Sequence, residues 1–206
     1  AARNLRLLLA DMAESEHPET LYMAIAEAYD GLGDEAMALK YAYLDIENGR
    51  QASTYASRSY RILLRRLAAR PAAFEERREA ARRATEDFPE LPEFHAEYAE
   101  CLAYGFDYAG ACREAAATLA AFDAYHGLEP LQFDAAMRAA VEERRTLWEK
   151  IQARQEAITV SACLIARDEA RDLPSWLKNT AAYSDERVVV DTGSRDETAE
   201  LARAAG

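Results

Sequence analysis

Two acidic turns in the last quarter of the chain carry the residue types best suited to chemistry. Asp168-Glu169 comes just after the apolar run Ile158-Thr159-Val160-Ser161-Ala162-Cys163-Leu164-Ile165, and Asp191-Thr192-Gly193-Ser194 directly follows Arg187-Val188-Val189-Val190. A carboxylate held at a strand end accepts hydrogen bonds from the N–H of a pyrimidine base or from ribose hydroxyls, while Gly and Ser let the backbone turn closely around a ligand. Asp168, Glu169, Asp191, Thr192, Gly193 and Ser194 are therefore the candidate nucleotide-binding residues. Asp196 and Thr198 read as caps of a turn and of the helix that follows.

The elements that must position these turns are short. Both apolar runs are β-branched and nearly continuous, the pattern of strands buried in a parallel sheet. A helix from Leu173 to Ala182 is expected between them, with Asp172 as its cap and Trp176 and Leu177 facing in, and a second from Asp196 to Ala205. The order β, α, β, α predicts an α/β unit over 157–206 with ligands at the carboxyl ends of its strands. Two strands cannot bury both faces of a sheet, so this unit reads as the opening part of a larger one.

The preceding 156 residues carry a helical period. Leu21, Ile25, Ala28, Tyr29 and Leu32 form one stripe between Pro18 and Gly33; Asp34 can cap a second helix with Ala38, Tyr41, Ala42 and Ile46, ending at Asn48-Gly49. From Pro92 the pattern returns: Tyr98-Ala99, Leu102, Asp107-Tyr108-Ala109-Gly110-Ala111, then a small-residue helix, with Tyr104-Gly105-Phe106 lengthening the turn by one residue. Helices are expected between these hairpins at Ser53 to Ala69 and Ala72 to Phe88, split by Arg70-Pro71, and a last one from Phe133 to Gln155 carrying Met137, Val141, Leu147, Trp148 and Ile151. The stripe Arg58, Arg61, Arg65 and Arg66 reads either as a dock for an anionic partner or as a solvated face, with Glu75, Arg78, Glu79, Arg82 and Arg83 at ion-pair spacing nearby.

The hairpins built around Gly33-Asp34 and Asp107 resemble tetratricopeptide repeats, and their turn aspartates lie two repeats of about 34 residues apart plus a small insertion. The string from Ile158 through Asp168-Glu169, Leu173-Pro174-x-Trp176-Leu177 and Asp185-Glu186-x-Val188 to Asp191-Thr192-Gly193-Ser194-x-Asp196-x-Thr198 resembles the opening of a family 2 glycosyltransferase of the GT-A fold. The family usually has Asn-Glu where this chain has Asp168-Glu169. The resemblance implies that Asp191 contacts the uracil or ribose of a nucleotide sugar, most often UDP-linked, and that Asp168-Glu169 forms the nucleobase-side turn. It also implies Mg or Mn, held in the complete domain by a downstream Asp-x-Asp motif, and a later acidic general base. Neither motif nor base stands in these 206 residues, so a parent transferase is implied while this chain alone is expected to be inactive. Arg3-Asn4-Leu5-Arg6-Leu7-Leu8 before the first repeat resembles the passage out of another such domain.

The expected fold is thus mostly α: a tetratricopeptide-like hairpin array over 1–156 and a partial GT-A, Rossmann-like α/β unit over 157–206. The array would serve as a platform for a protein or glycan acceptor; the alternative is a non-enzymatic adaptor that binds peptide on its repeats. A net charge of −12 opposes nucleic-acid binding. Apolar runs fall far short of the roughly 20 residues of a membrane span, and no signal-peptide pattern opens the chain, although Ala1 in place of Met leaves room for an upstream start. Cys101, Cys112 and Cys163 lack paired spacing and read as reduced cysteines of a cytoplasmic protein. Asp-Thr-Gly-Ser also surrounds the catalytic aspartate of pepsin-like proteases, but those sites need two such loops in an all-β setting. His17, His95 and His126 have no zinc-ligand spacing, and neither a serine-nucleophile turn nor a dinucleotide glycine motif is present.

Overall fold

The structure, a computed structural model, describes residues 2–181 and 183–205. Ala182, the last residue of one expected helix, lies outside them. The chain forms two compact units, 1–152 and 153–206. The first contains α1 (Ala2–Glu14), α2 (Tyr22–Leu32), α3 (Glu35–Glu47), α4 (Arg58–Ala68), α5 (Phe74–Asp87), α6 (Pro92–Tyr104), α7 (Tyr108–Ala124) and most of α8 (Ala135–Ala157). Short 3-10 turns at Pro18–Leu21 and Pro71–Ala73 lead into α2 and α5. The second contains β1 (Ser161–Ala166), α9 (Leu173–Thr180), β2 (Glu186–Asp191) and α10 (Thr198–Ala204).

From α1 to α7 each helix packs on its successor, most extensively in the hairpins α2/α3 and α6/α7. The two hairpins turn differently. In the first, Gly33 takes the left-handed φ of 80° that glycine tolerates, and the Asp34 carboxylate accepts the N–H of Met37 at 3.2 Å. In the second, the added residue moves the left-handed position to Phe106, at φ 65°, and Asp107 accepts the N–H of Gly110 at 2.8 Å. A Cβ on Gly110 would lie 2.4 Å from an Asp107 carboxylate oxygen, whereas one on Gly31 would meet nothing within 4 Å. Gly31→Ala should therefore raise stability by about 0.5–1 kcal/mol through helix propensity, while Gly110→Ala displaces the cap and should lower the melting temperature. Thermal unfolding of both variants checks this, and a gain from both would refute the cap account.

Three apolar clusters fill the unit. One joins Leu5, Ile25, Ala26, Ala38, Ala42 and Ile62; the central one joins α3, α4, α5 and α6 through Tyr60, Leu63, Leu67, Phe88, Leu91 and Phe94; the third joins Ala99, Ala111 and Ala115 to Phe133, Val141 and Trp148. Alanines at the α6/α7 crossing let the two backbones approach closely. His95 adds a polar clasp between them. Its Nδ1 lies 2.7 Å from a Glu114 oxygen and its Nε2 3.0 Å from the Pro89 carbonyl, and both are acceptors, so both bonds form only when the ring carries two protons. Burial alone would lower the imidazole pKa, but the Glu114 hydrogen bond, the Pro89 carbonyl and the Glu114 charge together raise it above its ordinary value. A raised folded pKa contributes stability that is complete below the unfolded value of about 6.5 and is lost as pH climbs through the folded one. Denaturation midpoints should therefore fall from pH 6 to pH 9, and less so in His95→Gln; equal slopes would show that His95 is not the source.

Several expected boundaries shift. The helix expected from Ser53 begins at Arg58, because Ser53 to Ser57 forms turns in which the Ser53 hydroxyl oxygen accepts the N–H of Tyr55. α1, for which no expectation was drawn, packs against α2 and buries Leu5. Phe133 is buried but precedes α8, whose first turn is instead capped by Asp134 accepting from Met137 at 2.9 Å. Asp172 stands before α9 without a side-chain cap bond, and Trp176 and Leu177 are only half-buried.

The strands pair in parallel with Ser161 opposite Glu186 and Ala166 opposite Asp191. They are not buried on both faces as expected. Along β1 exposure alternates: Ala162 and Leu164 are half-covered and Ala166 buried, while Cys163 and Ile165 face solvent, Ile165 at 75%. A near-continuous apolar run has thus folded as a one-sided strand, since a two-stranded sheet with two short helices lacks the material to cover its second face.

Candidate functional site

The parallel register brings the ends of β1 and β2 side by side, so the two acidic turns meet. The Asp168 N–H donates to the Ser194 hydroxyl oxygen at 2.9 Å, and the Asp168 carboxylate accepts the Arg195 N–H at 2.6 Å. Ser194 in turn donates its hydroxyl, and its N–H at 3.2 Å, to the Asp191 carboxylate. Asp168 and Asp191 are thereby joined through one serine. Asp168 adopts a left-handed φ of 56° and Gly193 one of 97°; an acidic residue tolerates that region better than most because its side chain bonds locally.

Sequence reasoning gave Asp196 and Thr198 a capping role only, and they do more. The Glu169 N–H donates to the Thr198 hydroxyl oxygen at 2.8 Å and the Ala170 N–H to Asp196 at 3.0 Å. Three successive amides of the first turn are thus each held by a side chain of the second. The alternation Ser194-x-Asp196-x-Thr198, three small acceptors at every second residue, was the signal available for this. Thr192 closes the base of the turn, its N–H and hydroxyl both donating to the Ala166 carbonyl at 3.0 and 3.2 Å. The Glu169 side chain is exposed. The Ser194 hydroxyl, then the N–H groups of Ser194 and Gly193, hold the Asp191 carboxyl below the ordinary range against slight burial; the Thr198 hydroxyl does the same for Asp196. The result is a solvent-facing ledge of ionised carboxylates, suited to accepting hydrogen bonds from amide-like N–H or sugar hydroxyl donors. Among the described residues no three His, Cys, Asp or Glu side chains converge as metal ligands.

The first unit holds a second candidate, which sequence reasoning missed because its residues come from five separate segments. A groove of about 750 Å³ lies between the end of α4, the start of α5, α6, the start of α7 and α8. Phe74, Tyr104, Tyr108 and Trp148 supply aromatic walls, with the Phe74 and Tyr104 ring centroids 4.7 Å apart. Arg77 bonds Glu97 at 2.5 Å and Arg144 pairs with Glu100 on its lining, and burial pushes the Cys101 thiol up to about 11, which leaves it protonated and unreactive.

No family model matches the chain. A TPR repeat-containing protein of Synechococcus elongatus is 51% identical over 47 residues, which is 23% of this chain and 12% of that protein. The capped antiparallel hairpins, with this likeness over a short stretch, support a repeat character for the array. The helical repeats are TPR-like. The chain spans only about an eighth of its relative's length in the matched stretch.

In the TPR-like unit the arginine stripe of α4 is already paired. Arg58 meets Glu27, Arg65 and Arg66 both meet Asp30, and Arg61 bonds Glu93 at 2.6 Å. Each pair ties α4 to α2 or α6, so the stripe is an inter-helix lacing instead of an open anion dock. No helix among the described residues is long and apolar enough to cross a membrane.

Proposed function

We propose that the chain works as a docking platform, with the TPR-like unit taking a segment of a protein partner in the aromatic groove between α4, α6 and α8. The groove carries this reading. It combines apolar walls with paired charges at its rim, the composition of surfaces that anchor a few side chains of an extended or helical peptide. Peptide-display panning against the full chain should enrich a motif whose binding is lost at least tenfold in Tyr104→Ala and in Phe74→Ala. Failure to enrich any ligand sensitive to these changes would overturn the reading.

A second reading has its own observation. Asp168 and Asp191 share Ser194 at the carboxyl ends of parallel strands, where α/β proteins place ligands, which supports the start of a nucleotide-sugar transferase domain that would take a UDP-linked donor with Mg or Mn. On this reading Asp191 accepts from the base or ribose and the repeats present the acceptor, protein or glycan. Calorimetry with UDP on the parent protein carrying the complete domain should show binding that Asp191→Ala abolishes; equal heats from both proteins would end this reading and leave the docking platform.

A further inference from the structure

The segment linking α7 to α8 crosses back over the unit and seats itself on the paired arginine of α4. The Glu129 carboxylate accepts the Ser57 hydroxyl and lies 3.7 Å from Arg61; the Gln132 N–H donates to Glu93 at 3.1 Å; and Leu131 packs on the central apolar cluster. Tyr125 shapes the segment by donating its hydroxyl to the Glu129 carbonyl at 2.5 Å, and its ring lies so close over Gly127 that an added Cβ would sit 2.5 Å from the phenol oxygen. These are the contacts of a docked peptide segment: one buried carboxylate, one apolar anchor and one backbone bond.

The seat is imperfect for its occupant. Arg61, Glu93 and Glu129 keep only 10, 11 and 10% of their side-chain surface exposed, so one cation serves two buried carboxylates, and Arg61 Nε and one Glu93 oxygen find no hydrogen-bond partner among the described residues. Leu128, beside them, is 86% exposed and anchors nothing. Pockets flank the segment on both sides, one bounded by Arg58, Arg61, Pro130 and Gln132 and the other by Gln51, Thr54, Leu128 and Glu129.

We infer that residues 127–132 are an intramolecular ligand: they occupy a peptide site on α4 and α6 that takes Glu-Pro-Leu-type segments, and a partner presenting that chemistry binds by displacing them. This rests on the docking reading but concerns a different surface from the aromatic groove. The probe is a fluorescein-labelled peptide of residues 125–133, titrated against the full chain and against a variant carrying Glu129→Gly, Pro130→Ser and Leu131→Gly. The expected result is at least tenfold tighter binding to the variant, lost when the peptide's own glutamate is replaced by alanine. Equal or absent binding to the two proteins, or binding indifferent to that glutamate, overturns the inference. If circular dichroism shows the triple variant unfolded, Glu129→Gln replaces it, with amide exchange over 127–132 expected to rise tenfold while α4 and α6 stay protected; unchanged exchange overturns it equally. Panning ligands that depend on Tyr104 would survive either failure, so loss of this site and loss of the docking reading are separable.

Discussion

Phe94→Ala should lower the stability of the helical unit by about 3–5 kcal/mol, the range for removing a fully buried aromatic ring. The ring is 2% exposed, with its centroid 5.9 Å from that of Tyr60 and 6.0 Å from that of Phe88. Three aromatic rings from α4, the end of α5 and the start of α6 thus share one contact point, and stacked repeats lose stability where neighbours cease to touch. Tyr60 cannot swing away to fill the void, since its hydroxyl is tied to Asp87 at 2.5 Å. Urea denaturation of Phe94→Ala beside Phe106→Ala, an exposed aromatic in the next turn, makes the comparison: a large loss in the first and almost none in the second. A loss below about 1 kcal/mol for Phe94→Ala would mean the site collapses freely and the cluster is not the keystone.

Arg61→Ala is the other substitution with a large expected effect. It would strip the cation from between Glu93 and Glu129, all three being about nine-tenths buried. Breaking a buried ion pair from one side typically costs about 3–5 kcal/mol, because the surviving charge is left without compensation. The triple change Arg61→Met, Glu93→Gln and Glu129→Gln removes the charges together and should recover most of that loss. If the triple variant is as unstable as Arg61→Ala, the cost lies in lost packing of the arginine stem and not in orphaned carboxylates.

The hairpins were legible because their signals are local. Gly33-Asp34 states both a left-handed stop and a cap within two residues, and the structure uses both. The second turn was legible as longer by one residue, but not that Phe106 would take the left-handed position while Gly105 keeps a φ of −81°; the hydrogen bonds that close the helix, Phe106 N–H to Ala103 and Asp107 N–H to Leu102, put residue 106 in that slot against propensity. Ion pairs within α5, Glu75–Arg78 and Glu79–Arg82, formed as their spacing indicated, whereas those between helices were invisible. Spacing alone places Arg58, Arg61 and Arg65 on one face, but their partners Glu27, Glu93 and Asp30 lie about thirty residues away in either direction. In the second unit, both strands and their parallel order could be read from the apolar runs, although β1 starts at Ser161 and leaves Ile158 to Val160 outside it, and the meeting of Asp168 with Ser194 and Asp191 follows from register. That two strands alone leave the sheet incompletely covered was also legible, but which face stays bare was not, because an unbroken apolar run looks alike on both.

The two open margins of this sheet bear on what can enlarge it. Each strand of the pair has hydrogen-bonding groups along an outer margin, and β1, reading Ser161-Ala-Cys-Leu-Ile-Ala, contains neither a charge nor a proline to deter a newcomer. Margins of this kind recruit further strands from whatever chain is nearest. β2, with Glu186, Arg187 and Asp191, repels such additions, so a strand that enlarges this sheet is expected to add along β1.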